Sequence, residues 1–263
     1  MKMHNYTLKN MKTETTFIAI IPARYASTRF PGKPLAKIGG VSMIERVYKR
    51  ACQCFDQVVV ATDDERILSA VEAFGGRAVM TSDQHRSGTD RCREAYAIVG
   101  SDADVVVNIQ GDEPFIALNQ LEALKACFSD PQVQIASLAR PFDPAAGFEA
   151  LADPNTPKVV MADNMDAMYF SRSVIPYVRG AEPSQWPAAV QYYTHVGLYG
   201  YRADVLQQLG KLPQSQLELA ESLEQLRWLQ NGYRIKMAVT TDATIGIDTP
   251  ADLEAAEKYL ASL

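Results

Sequence analysis

The order of apolar and polar positions along the chain predicts buried strands that alternate with amphipathic helices. Short apolar runs at Phe17–Ile21 and Gln57–Thr62 are typical of parallel strands that are covered on both faces. Between them, Val41–Phe55 repeats its apolar residues at helical spacing, and a glycine pair ends a second helix at Glu65–Phe74. This alternation predicts an α/β fold with helices on both sides of a mostly parallel sheet.

The same pattern continues toward the C-terminus. Further strands are predicted at Arg77–Met80, Asp104–Ile109, Val133–Ala139 and Arg234–Val239. Further helices are predicted at Asp90–Val99, Ala117–Phe128, Ala203–Leu209, Ser215–Asn231 and Ala251–Leu263. The polar residues 1–16 are predicted to form a flexible extension, so the folded domain spans residues 17–263.

The alternation of strands and helices is lost between about residues 140 and 201, where prolines are frequent. We interpret this segment as an inserted lobe with short strands at Lys158–Met161 and Ala167–Phe170. An aromatic strand at Tyr192–Tyr201 closes it, and the period of two places His195 and Tyr199 on one face of that strand. Lobes of this kind shape a second substrate's pocket or a dimer interface.

Composition and charge exclude several classes of protein. The chain has 263 residues, of which 47% are hydrophobic and 22% are charged, as in a soluble globular enzyme. A net charge of −5 argues against nucleic-acid binding. No apolar run is long enough to insert into a membrane, and the N-terminus lacks a signal core, which predicts a cytoplasmic protein. Four cysteines without metal-site spacing agree with a reducing compartment.

The loop that follows the first strand is a candidate phosphate site. Its thirteen residues, Pro22–Pro34, include three prolines and the cations Arg24, Arg29 and Lys33. Open α/β sheets bind ligands at the carboxyl ends of their strands, and clustered cations suit a polyphosphate. A solvated basic loop is the alternative interpretation. The position after the first strand and the stiffening prolines favour the phosphate site.

Two carboxylates and one hydroxyl-rich turn add to this site. Asp112 comes directly after a strongly apolar strand, and Asp248 precedes the closing helix. Carboxylates so placed can hold Mg²⁺ against phosphate oxygens, although Asp112 in a turn could also cap a helix. Ser87, Gly88 and Thr89 come just before a helix, where they could cap it or hold a ligand.

Three common nucleotide and hydrolase signatures are absent from the sequence. There is no G-x-G-x-x-G fingerprint, no Walker A pattern and no G-x-S-x-G elbow. These absences argue against a dehydrogenase, a P-loop NTPase and an α/β-hydrolase.

Several longer motifs carry a family resemblance. IPARYASTRFPGKPL, NIQGDEP, THVGLYGYR, ESLEQLR and GIDTPADLE resemble the 3-deoxy-manno-octulosonate cytidylyltransferases, the CMP-Kdo synthetases, and occur in family order from about Phe17 onward. The resemblance implies a Rossmann-like nucleotidyltransferase sheet and a homodimer formed through the inserted lobe. It implies Mg²⁺-dependent transfer of CMP from CTP to the anomeric hydroxyl of 3-deoxy-D-manno-octulosonate (Kdo). Pyrophosphate is released, and Kdo is activated for lipopolysaccharide biosynthesis.

The resemblance also implies roles for individual residues. Arg24, Arg29 and Lys33 would contact the CTP phosphates, and Asp112 and Asp248 would bind Mg²⁺. Ser87, Gly88 and Thr89 would surround the cytidine. Gln110, His195, Tyr199, Glu224 and Gln225 would hydrogen-bond the sugar acid. Arg24, Lys33, Asp112 and Asp248 would form the catalytic set.

Two alternatives remain at this point. A related enzyme could activate 8-amino-Kdo or a sialic acid, because a small change in the pocket can admit one amine in place of one hydroxyl. A glycosyltransferase or a nucleotide sensor on a similar sheet is the other. Glycosyltransferases of that type usually carry a D-x-D motif, which is absent around Asp112, and a sensor would not need both Asp112 and Asp248.

Overall fold

The structure is a computed structural model that describes residues 14–26, 30–243 and 246–262. Its strands are β1 (Phe17–Ala23), β2 (Lys37–Ile38), β3 (Val41–Ser42), β4 (Gln57–Thr62), β5 (Ala78–Met80), β6 (Val105–Asn108), β7 (Ile135–Pro141), β8 (Lys158–Met161), β9 (Ala167–Ser171), β10 (Tyr193–Arg202) and β11 (Ile235–Val239). Its α-helices are α1 (Met43–Ala51), α2 (Glu65–Ala73), α3 (Gly88–Val99), α4 (Leu118–Cys127), α5 (Gly147–Ala152), α6 (Trp186–Ala189), α7 (Ala203–Leu209), α8 (Gln216–Glu221), α9 (Gln225–Gln230) and α10 (Pro250–Ala261).

Within the described ranges, nine strands form one mixed sheet, and β2 and β3 form a separate small ribbon. The main path runs β11-β7-β10-β6-β1-β4-β5, and the β8–β9 hairpin joins it through β10. Strand β10 is antiparallel to both of its neighbours on this path, whereas the other adjacent pairs are parallel. The prediction of a mostly parallel α/β sheet is confirmed. The carboxyl ends of β1, β4 and β6 therefore lie at one edge.

Two apolar layers cover the sheet, as expected from the period of two along its strands. In β1, Ile18 and Ile20 pack on the side of α3, α7 and α9, whereas Ala19 and Ile21 pack on the side of α1, α2 and α4. All four of these side chains are fully buried. A strand with both faces covered must be apolar throughout, which explains the uninterrupted run that begins the fold.

Strand β1 continues two residues beyond its predicted end at Ile21. Pro22 lies within it and pairs with Ala61 of β4. The carbonyl of Ile20 accepts from the amide of Ile109 on the β6 side, and Pro22, two residues on, turns its backbone to the same side. Strand β6 has ended there at Asn108, so the missing amide hydrogen of Pro22 removes no ladder hydrogen bond.

The aromatic strand differs from the sequence prediction in its location. It was assigned to the inserted lobe, but β10 lies inside the main sheet between β6 and β7. Alternating aromatic residues indicate a strand but do not reveal its partners. The segment that leaves the main path of the sheet is therefore the part between β7 and β10, and its β8–β9 hairpin rejoins the sheet through β10.

The prediction of one helix over Ser215–Asn231 is wrong. The chain forms α8 and α9 instead, separated at Ser222, whose φ of 51° is left-handed. Arg172, fifty positions away, holds this break by donating from Nε to the Glu221 carbonyl and from Nη2 to the Ser222 carbonyl. Those carbonyls are freed where α8 ends, so a distant arginine satisfies them.

Among the described residues, no helix is both long and apolar enough to cross a lipid bilayer. The longest ones, α3 and α10, have 12 residues each.

Candidate active site

A polar cavity opens at the carboxyl ends of β1 and β6. Its walls come from the loops after those two strands, from the segment before α3, and from the turn before α10. The cavity is lined by Pro22, Ala23, Arg24, Lys33, Pro34, His85, Arg86, Ser87, Gly88, Arg91, Gln110, Gly111, Asp112 and Asp248. Four cationic side chains thus face the same space as two carboxylates, at the edge where α/β sheets bind ligands.

Two backbone contacts bring the walls of this cavity together. At Gly111, an added Cβ would lie 2.9 Å from the carbonyl oxygen of Pro22, so only glycine allows the two loops to approach so closely. The amide of Ile247 donates to the carbonyl of Asp112 over 3.0 Å. This bond places Asp248 beside Asp112 although the two residues are far apart in sequence.

Lys33 joins the two carboxylates. Its Nζ lies 2.7 Å from Asp112 Oδ2 and 3.1 Å from Asp248 Oδ1. Gly32, with a φ of 70°, precedes it and allows the chain to turn into the short 3-10 helix Lys33–Leu35. The lysine side chain is 16% exposed, so one ammonium group faces two carboxylates in a largely enclosed place.

The first turn of α3 forms another wall. Ser87 caps the helix, because its Oγ accepts from the amide of Asp90 over 3.1 Å. Arg91, one turn along, is nearly buried; it donates to Asp63 Oδ2 and to Thr81 Oγ1 over 2.6 Å each. Arg91 therefore ties the ends of β4 and β5 to the helix whose N-terminus faces the cavity, where the helix dipole favours an anion.

A second polar cluster lies on β10. As predicted, His195 and Tyr199 share one face, with ring centroids 5.3 Å apart. Ser137 Oγ of β7 lies 2.9 Å from His195 Nε2, 2.9 Å from the Leu198 carbonyl and 3.2 Å from the Val196 carbonyl. When the one proton of Ser137 goes to a carbonyl, His195 donates from Nε2 and its Nδ1 is a hydrogen-bond acceptor. Burial lowers the pKa of His195 to about 3, so the ring is neutral near pH 7.

This burial predicts a measurable loss of stability in acid. Between the ordinary His pKa of 6.5 and the folded-state pKa of about 3, the unfolded chain binds a proton at His195 that the folded chain does not. The free energy of unfolding must then fall as the pH drops through this range. From pH 6.5 to about pH 5, we expect wild-type protein to lose roughly 1.5 kcal/mol more than His195→Gln, measured by urea denaturation. Equal losses in the two proteins would contradict a neutral, buried His195.

Glu224 connects the second cluster to α3. Its Oε2 accepts from Thr89 Oγ1 over 2.7 Å, and its Oε1 accepts from Arg227 Nη2 over 2.6 Å. Burial raises the pKa of Glu224, while Thr89 and Arg227 lower it. The neighbouring Gln225 is buried, and its Nε2 has no hydrogen-bond partner among the described residues. These amide and carboxylate groups suit a hydroxyl-rich ligand, because an unmade buried hydrogen bond is costly.

The two clusters meet at Asn108, the last residue of β6. Asn108 pairs with Tyr199 across the sheet, and its Oδ1 accepts from Gln110 Nε2 over 3.3 Å. An added Cβ on Gly88 would lie 3.5 Å from Asn108 Nδ2. The buried amide of Asn108 therefore lies between the cavity that carries cations and carboxylates and the cluster of His195, Tyr199 and Glu224.

Comparison with known protein families identifies the family to which this chain belongs. A family model described as "Cytidylyltransferase" matches residues 18–236, which is most of the chain. The chain belongs to the cytidylyltransferase family. The match runs from Ile18 in β1 to Lys236 in β11, so it reaches every strand of the main sheet but not Asp248.

Individual relatives of this cytidylyltransferase carry names for the same enzyme activity. It is 63% identical to the 3-deoxy-manno-octulosonate cytidylyltransferase of Phocaeicola vulgatus over 93% of this chain and 97% of the relative. It is 60% identical to the enzyme of the same name from Parabacteroides distasonis, over 94% and 98% of the two chains. A solved structure of CMP:2-keto-3-deoxy-manno-octonic acid synthetase complexed with CTP matches with a TM-score of 0.86 and 45% identity, over 94% and 99%.

The predicted site residues of this cytidylyltransferase fall into two groups in the structure. Those that line the cavity are Arg24, Lys33, Ser87, Gly88, Gln110, Asp112 and Asp248. Those in the second cluster are His195, Tyr199 and Glu224, and Gln225 is the buried residue that follows Glu224 in the chain. Thr89 joins the second group, because its hydroxyl contacts Glu224 and Tyr201 rather than lining the cavity. Arg29 lies outside the described residues.

Sequence reasoning missed four residues of the cytidylyltransferase site. Arg86 and Arg91 line the cavity, Asn108 links the two clusters, and Ser137 orients His195. Arg91 was detectable, because it follows Ser87 by four positions and so lies on the same helical face. Ser137 carried no signal in the sequence, since its role depends on the pairing of β7 with β10.

Proposed function

We propose that this cytidylyltransferase transfers CMP from CTP to the anomeric hydroxyl of Kdo, giving CMP-Kdo and pyrophosphate. One observation carries the proposal: Asn108 links the cavity in which Lys33 contacts Asp112 and Asp248 to the polar cluster around His195, through its contact with Gln110 and its pairing with Tyr199. A nucleotide triphosphate fits the first part and a polyhydroxylated acid fits the second. The shared name of the close relatives supports Kdo, and the relative solved with CTP supports the nucleotide.

Arg24 and Lys33 are the groups that would neutralise the CTP phosphates. Arg24 is exposed at the end of β1 and lines the cavity. Cations aimed at phosphate oxygens stabilise the charge that develops as the bond to pyrophosphate breaks. Ser87 and Gly88, at the start of α3, add a helix N-terminus to the same wall. Arg29, in the same loop, is proposed to join this set from the sequence pattern alone.

Magnesium fits the carboxylate pair. Asp112 and Asp248 already converge on one cation, the ammonium of Lys33. In the part of the chain that the structure describes, no group of three or more His, Cys, Asp or Glu side chains could hold a metal. Two carboxylates are enough for Mg²⁺, which completes its shell with water and phosphate oxygens. When bound, the metal would supply positive charge beside the reacting phosphate.

The polar cluster on β10 and α9 is proposed to hold the sugar acid. Gln110, His195 and Tyr199 present an amide, an acceptor nitrogen and a phenol, and burial keeps the pKa of Tyr199 well above its ordinary value. Glu224 and Gln225, at the start of α9, are proposed to join them. Positioning the anomeric hydroxyl against the α-phosphorus is the main task, since holding two reactants in line lowers the barrier strongly. The hydroxyl oxygen forms the new bond, its proton is lost, and pyrophosphate leaves.

Purified protein with CTP and Mg²⁺ tests this proposal in a panel of sugar acids. We expect pyrophosphate release with Kdo and formation of CMP-Kdo in equal amount. The panel includes 8-amino-Kdo and a sialic acid, and we expect the kcat/KM for Kdo to exceed theirs. Turnover with another acid and none with Kdo would contradict the substrate. The same assay with ATP, GTP and UTP checks the nucleotide.

We also propose a cytoplasmic homodimer that works in lipopolysaccharide biosynthesis. The four cysteines are free thiols, as expected in a reducing compartment. In the segment between β7 and β10, the side chains of Met168 and Tyr177 are 64% and 72% exposed. Exposed large apolar side chains of this kind suit a subunit interface. Sedimentation equilibrium should give twice the chain mass of 29.0 kDa, and a single-chain mass would contradict the dimer.

A further inference from the structure

The break between α8 and α9 creates a buried charge chain that a continuous helix would not form. Arg227 lies between two glutamates: its Nε is 3.3 Å from Glu218 Oε2 of α8, and its Nη2 is 2.6 Å from Glu224 Oε1. The side chains of Arg227 and Glu218 are 8% and 9% exposed. Isolated charges at such burial are unfavourable, so the arrangement persists because the charges are paired.

Arg227 itself is held in one orientation. Besides the two carboxylates, its Nη1 donates to the Leu212 carbonyl over 3.2 Å. Nη1 and Nη2 therefore each donate to a protein acceptor, and the Nε side of the planar guanidinium lies beside Glu218. Such a fixed fork can set the direction of a carboxylate that it pairs with.

The carboxylate that Arg227 fixes is the one that faces the sugar cluster. Thr89 holds the second oxygen of Glu224 from α3, and Thr89 in turn contacts Tyr201, whose ring stacks with that of Tyr199 at 5.9 Å. Glu224 is thus clamped from two helices. Without the arginine, its carboxylate would lose both its orientation and the positive neighbour that favours its charged form.

We propose that Arg227 is a positioning residue for the sugar acid and that it acts through Glu224, whose carboxylate it holds. This inference rests on the proposed function, because it assigns Glu224 to the sugar side of the site. The proposed role of Arg227 differs from that of Arg24, which lines the nucleotide cavity. Loss of Arg227 should therefore weaken sugar binding and spare CTP.

Arg227→Met tests this role by steady-state kinetics with CTP and Kdo. We expect the KM for Kdo to rise roughly 10- to 100-fold, as for a lost hydrogen bond to a charged group, with the KM for CTP within about twofold of wild type. The acid limb of kcat/KM for Kdo should move to higher pH, because Glu224 is harder to ionise without its partner. Arg227→Gln, a milder change, should show the same sugar-specific effect if the Met variant folds poorly.

Two controls separate positioning from general stability. Arg202→Met removes an arginine that also donates to backbone carbonyls, those of Val133 and Phe128, but away from the cavity, so it should leave both KM values unchanged. In a Glu224→Gln background, Arg227→Met should cause no further rise in the KM for Kdo, because the two residues act as one unit.

Three outcomes would overturn the inference. The first is an Arg227→Met enzyme that melts at a lower temperature but keeps the wild-type KM for CTP and for Kdo. Such an enzyme would behave like the Arg202→Met control, in which both KM values should stay unchanged. The second is an equal rise in the KM for CTP and for Kdo. The third is a wild-type enzyme without Kdo turnover, which would remove the proposed function together with this role.

Discussion

Asp112→Asn is expected to lower kcat for CMP transfer by about a thousandfold while the protein stays folded. Asp112 lies at the end of β6, contacts Lys33, and is the carboxylate most firmly placed beside the cavity. Asparagine keeps the size of the side chain but removes the charge that would hold Mg²⁺. Pyrophosphate release under saturating CTP and Kdo measures the effect, and circular dichroism confirms the fold.

A matched control for this variant is Asp56→Asn. Asp56 is exposed and precedes β4, so it lies at the opposite end of the sheet from the cavity. We expect normal kcat in the control. Binding is a second readout: wild-type protein should gain melting temperature on addition of MgCl₂ with CTP, and Asp112→Asn should gain much less. An Asp112→Asn enzyme with near-normal turnover and a normal response to MgCl₂ would remove Asp112 from the metal site.

Lys33→Met is expected to have two separate effects. Turnover should fall by about a hundredfold, because a cation aimed at the phosphates is lost. The ligand-free protein should also melt roughly 2–4 °C lower, since removal of a partly exposed ion pair costs about 1 kcal/mol. In this variant Mg²⁺ no longer competes with an ammonium group for Asp112 and Asp248. The Mg²⁺ concentration that gives half of the thermal stabilisation should therefore decrease.

Lys37→Met serves as the control, because Lys37 is an exposed lysine of β2, four positions along the chain. It should behave as wild type in both assays. If Lys33→Met kept wild-type turnover, the phosphate role would be wrong. If it melted at the wild-type temperature with an unchanged response to Mg²⁺, the contact with two carboxylates would not stabilise the ligand-free protein.

The fold was predictable where the pattern of apolar residues is local. Strands β4 and β8 have the predicted bounds, because apolar and β-branched runs between breakers leave little choice. The helix predicted over Ser215–Asn231 failed because its apolar spacing is helical on both sides of Ser222. Contacts from Ser171 and Arg172, at the end of β9, hold the break at Glu221 and Ser222. A contact between residues fifty positions apart leaves no trace in a local pattern.

The site was predictable to a similar extent. Lys33 and Asp112 follow two neighbouring parallel strands, so strand order alone implies that they share an edge. Asp248 follows no strand directly, and its approach to Asp112 depends on contacts between distant segments, which include the backbone bond of Ile247 and the ion pairs of Lys33. Periodicity could not separate Glu224 from the other glutamates nearby; the family resemblance selected it, and the break at Ser222 explains its position before α9.

The bond between Ile247 and Asp112 also bears on how the protein is made. Asp248 lies beyond β11, the last strand along the chain. The ribosome therefore synthesises the whole sheet before it synthesises the second carboxylate, and proteins of this size fold in part as they emerge. A nascent chain can complete its sheet with Asp112 in place while Asp248 is still inside the exit tunnel. The pair of carboxylates is then complete only when α10 has emerged and the turn before it has docked against Asp112.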